Sequence, residues 1–125
     1  MILGIGLDLC PISRIDALIA KWGERMEGRL FTEAERSYAR ARASRAEHFA
    51  ARFAAKEAAL KALGVPRGLS WHELEVVKEP GQGPKLLLHG AAAASAARLG
   101  VTRTHLSLSH AADMAAAVVV LEGNA

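Results

Sequence analysis

The sequence predicts a single α+β domain, and three observations carry that reading. Apolar residues alternate with a period of two near both ends of the chain. Capping-box starts and apolar residues at helical spacing fill most of the first half. The segments follow the order strand, three helices, two strands, helix, two strands.

Ile2 to Leu9 alternates, with Leu3, Ile5, Leu7 and Leu9 on one face and Gly4, Gly6 and Asp8 on the other. This is a strand with a greasy side and a side stripped bare around one carboxylate. Pro11 ends it. Ser13 with Asp16 predicts a capped helix start, and the helix from Arg14 carries Ile15, Leu18 and Ile19 on one side to about Trp22. Gly23 and Gly28 leave its end open. Thr32 and Glu35 form a second capping box, opening a helix through Tyr38 toward Ala43. Arg45 to Leu63 has Phe49, Phe53, Leu60 and Leu63 at helical spacing, with Gly64 and Pro66 as the stop. Glu73 to Lys78 and Lys85 to His89 read as short strands joined by the turn segment 79–84. Ala91 to Leu99 is an alanine-rich helix closed by Gly100. Thr104 to Ser109 and Ala115 to Glu122 are the last strands, linked by a turn near Ala112-Asp113. Residues 1–125 contain no repeat, linker or domain boundary.

Composition excludes several classes. Half of the 125 residues are apolar (51%) and 23% are charged, which favours a packed core over disorder. The longest apolar run, Met114 to Leu121, is far short of a membrane span. The N-terminus lacks the basic region of a signal peptide. The single cysteine, Cys10, excludes an internal disulfide framework or a cysteine-based zinc site, so the expectation is a soluble protein of a reducing, cytoplasmic compartment. Sixteen basic and thirteen acidic residues give a charge of +3, and the excess falls in residues 1–63. That points to an anionic partner. With 26 alanines and six aromatics the core is thin, so oligomerisation is expected to add buried area.

Three places offer chemistry. Asp8, flanked by glycines at a strand end, leaves room for a cation or phosphate, although capping a turn before Pro11 is the plainer role. Glu57 and Lys61 stand one helical turn apart. They make either an ordinary ion pair worth about 0.3–0.5 kcal/mol or part of a site. Glu57 lies about 40° around the helix from Phe53 and so borders the buried stripe. Arg52, Lys56 and Lys61 add three cations beside it, which suits an oxyanion together with a divalent metal. In Leu106-Ser107-Leu108-Ser109-His110 the two leucines face the core, and His110 sits where strand gives way to turn. Adjacent Ser and His point to opposite faces of a strand, which argues against a serine hydrolase. A nucleophile elbow, a phosphate-loop pattern and a full dinucleotide fingerprint are all missing.

Together these segments resemble the holo-acyl-carrier-protein synthases, the short trimeric type of 4′-phosphopantetheinyl transferase. Gly4-Ile5-Gly6-Leu7-Asp8 with Arg14-Ile15 is similar to their opening motif. The stretch from Arg52-Phe53-Ala54-Ala55-Lys56-Glu57 to Gly64 resembles their central helix. Leu106 to His110 with the last strand resembles their C-terminal hairpin. One departure stands out: Gly83 replaces the basic residue common before the proline of the middle turn, and Lys85 is the substitute on offer.

The resemblance implies an antiparallel sheet packed with helices, in a homotrimer with sites at its interfaces. It implies transfer of 4′-phosphopantetheine from coenzyme A to a serine of apo-acyl carrier protein, releasing adenosine 3′,5′-bisphosphate and requiring Mg²⁺. By that analogy Asp8 and Glu57 bind the metal, Glu57 is the base and Lys61 meets the phosphates. Arg52, Lys56, Lys85 and His110 lie toward the cofactor. Arg14, Lys21, Arg25 and Arg29, at steps of seven, four and four, form a basic stripe if their helix continues past Gly23, and the resemblance puts the acidic carrier there. The competing expectations are a basic nucleic-acid-binding module resting on Arg36, Arg40, Arg42 and Arg45, which lacks stacking aromatics, and a member keeping only carrier binding. The expected partners therefore include neither nucleic acid nor membrane.

Overall fold

The computed structural model describes residues 1–124. Strand β1 (Ile2–Pro11) leads into α1 (Ile12–Leu30), α2 (Glu33–Arg40) and α3 (Arg45–Ala62). A 3₁₀ turn (Trp71–Glu73) precedes β2 (Leu74–Val77) and β3 (Lys85–Leu88), followed by α4 (Gly90–Leu99), β4 (Val101–Ala111) and β5 (Met114–Gly123). An antiparallel sheet has the order β1-β5-β4, and β2-β3 is a separate antiparallel hairpin. Helix α3 packs across β1 and β5 and is the spine of the core.

The two faces of β1 are used in the opposite sense to a bare glycine side. Gly6 is buried, whereas Ile5, Leu7 and Leu9 are 65%, 60% and 59% exposed. The reason is close approach. A Cβ at Gly4 or Gly6 would overlap the carbonyl oxygens of Ala62 or Ala58, so glycine on the strand lets the α3 backbone sit directly on it. Alanine completes the fit: Ala54, Ala55, Ala58, Ala59 and Ala62 of α3 are buried, as are Ala115 and Ala117 of β5. Phe49 is fully buried, while Phe53 and Leu60 pack at the margin of the core.

The Ser13–Asp16 capping box does not form. Pro11 occupies the cap position of α1, and Asp113 in the β4–β5 turn supplies the missing acceptors. The Ser13 backbone N–H donates to Asp113 Oδ1 (3.0 Å), and Ile12 N–H donates to the Asp113 carbonyl (2.8 Å). Gly23, at φ 65° and ψ −149°, breaks α1 into two helical halves, so the basic stripe does not run along one continuous helix. The Thr32–Glu35 capping box is present, with Thr32 N–H donating to Glu35 Oε1 (2.8 Å) and Glu35 N–H to Thr32 Oγ1 (3.2 Å). Its helix stops at Arg40, short of Ala43. No helix of the described residues is long and apolar enough to cross a membrane.

Candidate active site

Strand alternation puts Asp8 on the same side as Gly6, facing α3. Its side chain is only 12% exposed, and Lys61 Nζ donates to Asp8 Oδ1 at 2.7 Å and to the Leu7 carbonyl at 3.3 Å. The ion pair of Lys61 is thus with Asp8 across the helix–strand contact and not with Glu57. Glu57 stands close enough to Asp8 for the two carboxyl groups to act on one another. Burial first, then the Asp8 charge, raises its pKa above the usual carboxylate value, while Lys61 and Arg14 pull it back. Two carboxylates held together while part-buried favour a shared proton or a shared cation. Among the described residues no three His, Cys, Asp or Glu side chains converge as a metal cluster. The two part-buried carboxylates fit a small hard cation that takes few protein ligands and completes its shell with water and substrate oxygens.

A second feature is a groove lined by Tyr38, His48, Arg52, Lys78 and His110, with Glu47 as its acidic member. Arg52 is 3% exposed, and its Nε has no hydrogen-bond partner among the described residues. A buried donor left unpaired is costly, which sets Arg52 apart among the residues of the groove. His110 Nε2 lies 2.9 Å from Glu47 Oε1, which places the histidine at the groove wall. Burial and the nearby Arg52 lower the pKa of His48.

The structure keeps the two features apart within the chain. Asp8, Glu57 and Lys61 are not among the residues lining the groove. Arg52 and Glu57 are five residues apart on α3, which turns them about 140° from one another. Lys56 belongs to neither. It is fully buried, with Nζ 2.8 Å from Glu35 Oε1 and donating to the carbonyls of Trp71 (2.8 Å) and Leu74 (2.9 Å). An ammonium with three protons so engaged has none left for a phosphate, which corrects the expectation that Lys56 faces the cofactor. Lys85 is exposed at the start of β3, and the lysine that lines the groove is Lys78, on the other arm of the hairpin turn.

Arg25 and Arg29, beyond the Gly23 break, line a surface groove with Trp22 and Met26, and Lys21 Nζ lies 5.1 Å from the Trp22 ring centre. Arg14 is exposed at the start of α1 on the side of the carboxylate pair. Of the arginines behind the nucleic-acid expectation, Arg40 is tied to Glu27 (2.6 Å), and Arg42 stacks on Tyr38. Sequence reasoning missed Tyr38, His48 and Lys78 as groove residues. The basic character of the segment around Arg42 is the one signal that touches them.

These features define a class: a small α+β domain with two carboxylates meeting where its central helix crosses β1, and a groove lined by cationic side chains on another face of that helix. A family model described as the 4′-phosphopantetheinyl transferase superfamily matches residues 4–119. The chain belongs to that family. It is 52% identical, over 98% of both chains, to a holo-acyl-carrier-protein synthase of Anaeromyxobacter dehalogenans, and 48% identical to one of Koribacter versatilis over 98% of this chain and 99% of that one. The crystal structure of a Neisseria meningitidis holo-acyl-carrier-protein synthase superposes with a TM-score of 0.85 at 32% identity, covering 98% and 99% of the two chains. A Helicobacter pylori synthase in complex with coenzyme A superposes at 0.81 and 28% identity, covering 94% and 99%.

Proposed function

We propose that this chain transfers 4′-phosphopantetheine from coenzyme A to a serine hydroxyl of an apo-acyl carrier protein, releasing adenosine 3′,5′-bisphosphate, with Mg²⁺ held by Asp8 and Glu57. The observation that carries the reading is the convergence of Asp8, Glu57 and Lys61 where α3 rests on β1, in a chain whose relatives over nearly full length are holo-acyl-carrier-protein synthases. Bound Mg²⁺ would offset negative charge on the pyrophosphate as it breaks. Glu57 takes the proton of the serine hydroxyl as general base. The serine oxygen bonds to the phosphorus that carries pantetheine, and the oxygen bridging the two phosphorus atoms leaves with the nucleotide. Lys61 is in reach to donate to that departing phosphate once a cation replaces it on Asp8. No side chain of this protein is the nucleophile, because the partner brings it.

The same proposal extends to assembly. Ile5, Leu7 and Leu9 are exposed beside Val120, Val118 and Ala116 of β5, a continuous apolar sheet face that a second copy would cover. A homotrimer that sets the carboxylate pair of one protomer against the Arg52–His110 groove of the next would complete a site that one protomer leaves in two halves. Arg14, Arg25 and Arg29, with Trp22 and Met26, offer cations around an apolar patch suited to an acidic carrier, in a cytoplasmic setting that the lone buried Cys10 suits. The test is direct. Incubation with coenzyme A, Mg²⁺ and apo-acyl carrier protein should yield a carrier heavier by one phosphopantetheine, and chelation with EDTA should stop it; an unmodified carrier would refute the proposal.

A further inference from the structure

Arg52, the buried unpaired donor of the groove, is not held by an acid. Its guanidinium carbon lies 4.1 Å from the centre of the Tyr38 ring, and that of Arg42 lies 3.3 Å from the same centre. One ring face has room for only one guanidinium at such distances, so Tyr38 is the middle layer between two arginines. Arg42 is fixed further by donating from Nη1 to the Tyr38 carbonyl (2.6 Å), and His48 meets the Tyr38 ring edge-on with centroids 5.5 Å apart. Arg52 Nη1 also makes a long contact to the His48 carbonyl at 3.5 Å, and the Tyr38 hydroxyl adds a polar hold on the guanidinium. Carboxylate partners would orient these cations but also neutralise them. The electron-rich face of a tyrosine orients a guanidinium while leaving its N–H groups and charge free for an incoming anion.

We infer that Tyr38 is a positioning residue for donor binding, whose ring, backed by Arg42 on its other face, keeps Arg52 aligned and without a carboxylate partner for a phosphate group in the groove. This rests on the groove being the donor site of the proposed transferase. The ring therefore stores the ordering that phosphate binding would otherwise have to supply.

The test uses the intact protein and two probes, adenosine 3′,5′-bisphosphate in calorimetric titration and coenzyme A in steady-state transfer. Tyr38→Leu should bind the bisphosphate about tenfold more weakly and raise the coenzyme A KM by a similar factor. Its kcat and the KM for carrier protein should stay near wild type. Tyr38→Phe, which keeps the ring face and removes the hydroxyl, should retain most of the binding that Tyr38→Leu loses. Successive fluorination of a phenylalanine at position 38 should weaken binding step by step, a signature that simple packing would not give and that still decides if the leucine variant fails to fold. Wild-type affinity in Tyr38→Leu, or no response to fluorination, would overturn the inference. Failure of the wild type itself to bind the bisphosphate would instead remove the donor-groove reading beneath it.

Discussion

Lys61 places its ammonium 2.7 Å from Asp8 Oδ1, although Glu57 stands one turn before it on the same helix. The contact crosses from α3 to β1 and neutralises one member of a carboxylate pair. Hydrogen bonding to Asp8 and its charge in turn raise the Lys61 pKa. A divalent cation entering between Asp8 and Glu57 would take over that neutralisation and release Lys61.

Asp8→Asn and Glu57→Gln should therefore each lose most of the transfer activity without unfolding. Mg²⁺ should raise the Tm of the wild type and of neither variant. Circular dichroism and thermal melts with and without Mg²⁺ check this; an equal Mg²⁺ shift in either variant would move the metal site elsewhere.

Glu57 also makes a pH prediction. Its pKa is raised in the folded protein, so its protonated form favours the fold below the ordinary carboxylate pKa. That contribution is lost as pH rises through the folded value. Glu57→Gln imitates the protonated form and should gain Tm relative to metal-free wild type as pH rises above the ordinary carboxylate range. Parallel melts of the two proteins at rising pH give the answer, and a wild type that gains on the variant would mean the wrong sign.

Gly6→Ala should be among the most damaging single-carbon additions in the chain. Its Cβ would overlap the backbone carbonyl of Ala58, and neither β1 nor α3 has a flexible side chain there to yield. Overpacking of this kind costs about 1–3 kcal/mol, measurable by urea unfolding. Transfer should fall further than stability, because lifting β1 from α3 separates Asp8 from Glu57.

Lys56→Ala should act on stability alone. It leaves the buried Glu35 carboxylate without its ion pair, at a cost of about 3–5 kcal/mol. Glu35 would still accept from Val76 N–H (2.8 Å). In protein that remains folded at low temperature the KM for coenzyme A should match wild type. A KM rise without loss of stability would return Lys56 to the donor site.

Much of this was legible in the sequence because local rules govern it. The Thr32–Glu35 box, the α3 span from Arg45 and the Gly100 helix stop rest on neighbours in the chain, and they formed as those neighbours dictate. Asp8 and Glu57 meeting was legible only through the family motif, since one is on a strand and the other on a helix. Two things were hidden. In a glycine–leucine alternation either face can be the inner one, and here backbone proximity to α3 decided for the glycines. Lys56 sits in a run of alanines that gives no sign of Glu35 waiting in α2 to bury it.

In the proposed trimer the two halves of each site come from different copies. Co-expression of Glu57→Gln with Arg52→Met tests it most directly, since each variant alone should be nearly inactive. In randomly mixed trimers about a quarter of the interfaces pair an intact Glu57 with an intact Arg52, so transfer should return to about a quarter of the wild-type rate. Mixtures no more active than the two variants measured apart would contradict the claim.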